Sequence, residues 1–452
     1  MTKYPPLYPF LLSLVWRLDN QFPQNLRWMM LFQWLLWILF LTTLWLTIRS
    51  LADSGDTIIF PTLLLVATAP AFIYLSVSIM AESLFASFVL ASLITLGHDQ
   101  QTKPTRAFWA GCAAGAAFLT KSAALPLVAA GILTLATRKR WISALLYGIP
   151  SIGAVLAWWH WSRLHRYMTR DINLLYYVDY LEFYRRTTSL ADLFSLLNAN
   201  LAALLETTGR LVAFTEHQWR AARVALVLLG IAVVYFASVS IIRNKSSYIR
   251  CFSLLYVAQS LLWNYPPNER FMFPLLPFVI FGFLVGSKDA IETVTKNSNT
   301  RKAWHGMCVL IIAWSVGKSI VYLPNFVYAQ NAAQRRIACF ADWARSRLKE
   351  RGPVLGYRDV DLYLYSKIQG VRLQPLPSAY YRNDRSAAYA LLGSAPDYAH
   401  RMGLQYMIWD ADDYYNDPFL KDFEARKRIL QGMRGIRFEG QSCGVQLYRF
   451  GR

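Results

Sequence analysis

Charge is what this sequence has least of. Only 16% of its 452 residues are Asp, Glu, Lys or Arg, against about 25% in an ordinary soluble domain, so a water-facing surface along the whole chain is excluded. Histidine (6) and cysteine (5) are scarce too. There is no C-x-x-C, no H-E-x-x-H and no histidine cluster, which argues against a structural or catalytic zinc site. No internal repeat relates the two halves of the chain, so the inverted repeats from which many transporters are built are missing.

What is present is apolar. Hydrophobic residues make up 55% of the chain and aromatic ones 15%. Apolar runs fall at 27–49, 58–77, 80–97, 107–120, 122–137, 141–161, 221–242, 250–264, 270–287 and 304–323. Most are long enough to cross a hydrocarbon core of about 30 Å as a helix. Lipid offers backbone groups no outside partner, so the expectation is a mainly α, polytopic transmembrane helical bundle of about nine or ten spans. The runs 107–120 and 122–137 are too short to cross upright and meet at Lys121; they read as a broken pair whose shared turn sits at a membrane interface.

The character changes after Pro324. Residues 331–350 have the pattern of an amphipathic helix, and PVLGY, QYMIWD and VQLYRF are short apolar runs alternating with helical stretches. A small α/β domain of about 120 residues is expected there, giving a bundle over 1–330 and a second domain over 331–452. In the loop 162–220, Leu193, Leu196, Leu197, Leu201, Leu204 and Leu205 recur at helical spacing, as in a helix lying along a membrane surface.

Positive charge sorts by loop. From residue 331 onward there are 20 Lys and Arg against 13 Asp and Glu, a net of +7, so +13 of the total +20 belongs to the bundle. These residues form no basic stripe with stacking aromatics, so no nucleic-acid partner is expected. They occupy short loops, as topology and anionic lipid headgroups require. One set of alternate loops holds Arg49, Lys103, Arg106, Arg138, Lys139, Arg140, Arg243, Lys245, Arg250, Lys288, Lys296, Arg301 and Lys302, thirteen in all; the short loops of the other set hold Lys121 and Arg270. Thirteen against two places the first set in the cytoplasm. The amino-terminal segment, the loop 162–220 and everything after 324 are then extracytoplasmic. Cys339 and Cys443 are predicted to pair in those oxidising surroundings, while Cys112, Cys251 and Cys308 read as small core residues of spans. The sole sequon, Asn244-Lys245-Ser246, falls in a cytoplasmic loop, which favours a bacterial plasma (inner) membrane over an endoplasmic reticulum.

Four stretches carry a resemblance: YPPLYPFLLSLVWRL at 4–18, PAFIYLSVSIMAESLFASFVLASLITL at 70–96, WAGCAAGAAFLTKSAALPLVAAGIL at 109–133 and PPNERFMFPLLPFVIFGFL at 266–284. Each is loose alone, but in order and spacing over about 320 residues they resemble the GT-C class of integral-membrane glycosyltransferases. The branch is that of protein O-mannosyltransferases and lipid A aminoarabinose transferases. The resemblance implies a sugar moved from a polyprenyl-phosphate donor to a lipid, glycan or protein acceptor at the outer face of the membrane. In that family a first helix and an acidic outer loop precede the segment like PPLYP. Here the chain opens on that segment, and Asp19 is the only carboxylate before the first span, so the expectation is a start that lies upstream.

Sugar transfer to a hydroxyl needs a base for the acceptor proton. The leaving phosphate needs positive charge, from Lys, Arg or a divalent cation; the residues leave that choice open. Glu82, in SIMAESLF, stands where two apolar runs meet, and a carboxylate so close to hydrocarbon is a functional candidate. The bland reading is an acid favoured at a helix start. Lys121 is a candidate to hold the donor phosphate as a point charge, against simple snorkelling. In NYPPNERFMF, Arg270 suits bidentate phosphate binding and Glu269 is a second candidate acid; mutual surface pairing is the alternative. Tyr4, in the opening segment, is a further substrate-binding candidate. Asp179 and Glu182, with Asp171, interleave with Tyr176, Tyr177, Tyr180 and Tyr184, a mixture suited to sugars and equally to a wet membrane interface. Lys318 reads as topology, His160 as an aromatic-belt residue, and WDADDYYNDP (409–418) as a solvated turn lacking the glycine and final glutamate of a calcium loop. The central expectation is that Lys121, Glu82 and the Glu269–Arg270 turn meet in one extracytoplasmic pocket. The rival reading is a non-catalytic membrane protein that binds polyprenyl phosphate or glycan.

Overall fold

The computed structural model describes residues 4–52, 57–97, 103–213, 220–243, 246–295, 300–348, 352–414, 417 and 419–451. Asn244 and Lys245 of the sequon, Lys296 and three residues of the 409–418 stretch lie outside them. The chain forms two compact units. The first holds residues up to Asn20, Asn25–Met168 and Leu196–Leu323; the second holds Gln21–Gln24, Thr169–Ser195 and Pro324–Arg452.

Helices build the first unit. They are α1 (Leu7–Trp16), α2 (Leu26–Leu51), α3 (Ile59–Thr68), α4 (Pro70–Val77), α5 (Glu82–Gly97), α6 (Pro104–Thr120), α7 (Leu125–Thr137) and α8 (Trp141–His165). After α9 (Ile172–Val178) and α10 (Tyr180–Thr187) of the second unit come α11 (Leu193–Ala213), α12 (Arg220–Arg243), α13 (Ser247–Leu261), α14 (Glu269–Met272), α15 (Leu276–Thr295) and α16 (Thr300–Leu348). Along α2 the buried residues Met29, Gln33, Leu36, Phe40, Leu44 and Ile48 form one stripe. Leu31, Trp34, Leu35 and Ile38 face outward. A helix apolar on all sides suits lipid, not water.

The expected polytopic helical bundle is present, and each apolar run maps to helix. Among the described residues four helices are long and apolar enough to cross a membrane, or six if each bent pair counts as one span. Leu7–Trp16, Glu82–Gly97 and Ser122–Thr137 are further, shorter apolar helices. The runs at 80–97, 107–120 and 250–264 become helices of 16, 17 and 15 residues, and α7 has 13, short of the roughly 20 an upright span needs. The pair α3 and α4 bends by 61° where Pro70 follows an extended Ala69, as a residue before proline prefers. At Lys121 the backbone is likewise extended, φ −154° and ψ 125°, which ends α6 and produces the expected break before α7.

Small residues set the helix spacing, as is usual where no hydrophobic effect drives helices together. A Cβ at Gly111 of α6 would meet the Tyr147 backbone of α8, and one at Gly115 would lie 2.9 Å from the Pro150 carbonyl. In the same way α11 meets α12, with Gly209 against Leu226 and Gly230 against Leu205. The latter contact alters the reading of α11 as a surface helix: Asn200, Glu206, Thr207 and Thr208 are buried because its polar side faces the bundle, which leucine spacing alone did not reveal.

In the second unit five strands follow the order β2-β1-β3-β5-β4, namely β1 (Val354–Leu355), β2 (Gly370–Val371), β3 (Tyr406–Asp410), β4 (Ile436–Ser442) and β5 (Val445–Phe450). β1 runs parallel to β2 and β3, and β5 antiparallel to β3 and β4. All five residues of β3 are buried. Met407 and Trp409 join one core with Leu392 and Tyr398, while Tyr406 and Ile408 join another with Phe340 and Ala344 of α16, the two-sided burial of an α/β sheet. Cys339 and Cys443 form a disulfide; Cys112, Cys251 and Cys308 are free. Segment 169–195 is fastened to the tail by Arg382, whose Nε and terminal nitrogen lie 2.8 and 2.7 Å from the Asp192 carboxylate. Tyr381 adds a hydrogen bond to the Thr187 carbonyl, 3.0 Å.

Candidate functional site

Glu82 opens α5, Lys121 occupies the break after α6, and Arg270 sits in the single turn of α14. The Asn268 side chain caps that turn, accepting from the Arg270 backbone N–H at 3.1 Å, and the Tyr256 hydroxyl donates to the Phe271 carbonyl at 2.7 Å. The fold therefore delivers three charged side chains from three chain breaks to one place. Lys121 Nζ lies 3.3 Å and Arg270 Nε 2.8 Å from the same oxygen, Glu82 Oε1. The Glu82 side chain is 1% exposed, Lys121 21% and Arg270 47%.

Two cations share one carboxylate, so the cluster holds one formal positive charge more than it neutralises. Burying Glu82 is tolerable only because both partners are there. Glu82 Oε2 has no partner among the described residues, although a buried acceptor normally finds one. Lys121 also lies over the rings of Phe85 and Phe271, 5.8 and 5.4 Å from their centroids, which favours a cation held in place. The opening segment is linked to Ser83, the neighbour of Glu82 in sequence: Tyr8 donates to Gln33 Oε1 at 3.2 Å, and Gln33 Nε2 donates to the Ser83 hydroxyl at 3.3 Å. Tyr4 and Tyr74 lie within electrostatic reach of Arg270.

Glu269, 28% exposed, stands beside the cluster with its Oε1 3.6 Å from an Arg210 terminal nitrogen. Glu82, Lys121, Arg270, Glu269 and Tyr4 therefore all belong to one unit, and the first three are in direct contact. Asp179 and Glu182 lie in the second unit. Asp179 caps α10 by accepting from the Glu182 backbone N–H at 3.1 Å. Glu182 accepts from Arg185 and Arg186 on its own helix at 2.8 and 2.7 Å. Both carboxylates thus bond locally within the second unit. Asp171 likewise caps α9. His160 is exposed, and Lys318 lies over the Trp314 ring at 4.7 Å.

Glu206, Arg210, Arg223, Gln33 and Tyr8 were not among the residues expected at the site. The one available signal was the Glu206–Arg210 spacing of four, a favourable pair on a helix; the partners from other helices leave no local trace. Among the described residues no group of three or more His, Cys, Asp or Glu is placed to hold a metal ion.

The helical bundle and its α/β companion have the fold of the GT-C membrane glycosyltransferases. The solved structure of ArnT from Cupriavidus metallidurans bound to undecaprenyl phosphate has a TM-score of 0.52 to this chain at 11% identity, covering 99% of this chain and 88% of that one. The same protein in its apo state gives 0.49 at 12%, covering 99% and 87%. The arabinofuranosyltransferase AftD from mycobacteria gives 0.44 at 12%, covering 95% and 34%. No family model matches the chain, and no curated protein matches it in sequence.

Proposed function

We propose that this chain moves a sugar from a polyprenyl-phosphate donor to an acceptor hydroxyl at the outer face of the membrane. The carrying observation is Lys121 and Arg270 converging on one buried carboxylate, which leaves a net positive charge preorganised at the helix breaks. In this reading the two cations hold the donor phosphate, Arg270 through its planar fork and Lys121 as a point charge. Glu82 keeps both in position, and Tyr4 lies beside the bound phosphate near Arg270. The solved ArnT structure with undecaprenyl phosphate, in the same fold, supports a lipid phosphate as ligand.

The transfer is a displacement at the anomeric carbon. The acceptor oxygen forms the new C–O bond, and the bond from that carbon to the phosphate oxygen breaks. Its electron pair leaves with polyprenyl phosphate, whose charge Lys121 and Arg270 stabilise. The acceptor proton passes to Glu269, the site carboxylate that remains accessible. Thirteen basic residues in one set of loops against two in the short loops of the other support an outer-facing site and an extracytoplasmic tail in a bacterial plasma membrane. The test is turnover of polyprenyl-phosphate sugars by the purified chain in detergent or vesicles. Product that disappears in Glu269→Gln supports the reading. Tight lipid binding without product from any donor replaces it with the non-catalytic binder.

A further inference from the structure

Glu269 is held by a chain of charges that runs away from the site. Glu206 on α11 is nearly inaccessible, its side chain 6% exposed, and accepts from Arg210 at 2.7 Å and from Arg223 of α12 at 2.8 Å. So buried a carboxylate requires such partners. Arg223 comes within reach because α11 and α12 touch backbone to backbone at Gly209 and Gly230. Arg210 then uses its two terminal nitrogens on different acids, one on Glu206 and the other 3.6 Å from Glu269. Its Nε has no partner among the described residues, so the two carboxylates determine where the guanidinium lies.

We propose that Arg210 is a positioning residue for Glu269. Anchored by Glu206, it fixes the Glu269 carboxylate beside Arg270, where the acceptor hydroxyl gives up its proton. This rests on the transfer reading above. A guanidinium can serve two acids in fixed directions, whereas an ammonium supplies only a point charge, so Arg210→Lys should retain part of the effect and Arg210→Gln none.

The experiment compares the full-length chain with Arg210→Gln, Arg210→Lys, Glu269→Gln and the Arg210→Gln/Glu269→Gln double variant. It measures kcat and donor KM with a polyprenyl-phosphate sugar, and the rate at which a water-soluble carbodiimide modifies Glu269, followed by peptide mass spectrometry. Arg210→Gln should lower kcat by about tenfold or more with donor KM nearly unchanged. Arg210→Lys should fall between it and the wild type, and the double variant should be no worse than Glu269→Gln alone. Carbodiimide labelling of Glu269 should rise severalfold in Arg210→Gln. Unchanged kcat, losses that simply multiply in the double variant, or unaltered labelling would overturn the proposal. A wild-type chain without turnover sinks the transfer reading instead. Labelling then still decides the Arg210–Glu269 coupling, which a rise sustains and a flat response removes.

Discussion

Arg270 donates through Nε to the Glu82 carboxylate at 2.8 Å, joining residues 188 positions apart in sequence. Lys121 meets the same oxygen, so Glu82 is the common counter-ion of both. Its removal leaves two cations facing each other in a largely buried setting. Glu82→Ala should cost about 2–4 kcal/mol of stability, a range lowered because Arg270 is about half in water. Thermal unfolding in detergent measures it, and an unshifted melting temperature contradicts the shared-counter-ion reading.

The α6–α8 contact predicts a difference between two glycines. A Cβ at Gly111 would meet the Tyr147 backbone, while one at Gly153 on α8 has nothing within 4 Å. Gly111→Val should therefore destabilise by at least about 1–3 kcal/mol through forced backbone movement, and Gly153→Val should be nearly neutral. Equal effects in an unfolding assay would mean that the two helices do not pack at Gly111.

In the tail, burial pushes the Asp413 carboxyl up to about 7. The Asp410 backbone N–H donates to it at 2.9 Å; the Asp410 charge raises it further, while Arg358 and Arg426 pull it down. The folded state thus binds this proton more tightly than the unfolded chain. The resulting stabilisation is complete below the ordinary value of 3.8 and fades as pH rises through about 7. Melting of the tail should fall across that window in the wild type and flatten in Asp413→Asn. A slope that Asp413→Asn leaves unchanged assigns the titration elsewhere.

The Cys339–Cys443 bridge closes a loop of 104 residues. A thiol titration of the unfolded, non-reduced chain should find three free thiols, Cys112, Cys251 and Cys308; five would contradict the pairing. Cys339→Ser should cost the tail about 2–5 kcal/mol.

Much of this was legible before the structure. Apolar runs gave the helices because a membrane span is a local property of sequence, and the break at Lys121 showed because two runs were too short. Glu82, Lys121 and Arg270 stood out as charges at the edges of apolar runs. The carboxylates of Asp179 and Glu182 stood out equally among tyrosines, and what composition did not show is that they also make a helix cap and pair with adjacent arginines. Glu206 and Arg210 were invisible for the opposite reason: their meaning depends on Arg223 and Glu269, brought in by helix packing at glycines that carry no side-chain signal.

The central claim is that Lys121 and Arg270 together form a phosphate site for a lipid-linked donor. Its most direct test is equilibrium binding of a polyprenyl phosphate to the purified chain and to Lys121→Met, Arg270→Gln and the double variant. Each charge-assisted contact contributes about 1.5–3 kcal/mol, so each single variant should weaken binding by about 10- to 100-fold, and the double variant should abolish it. Affinity unchanged in the double variant would contradict the account.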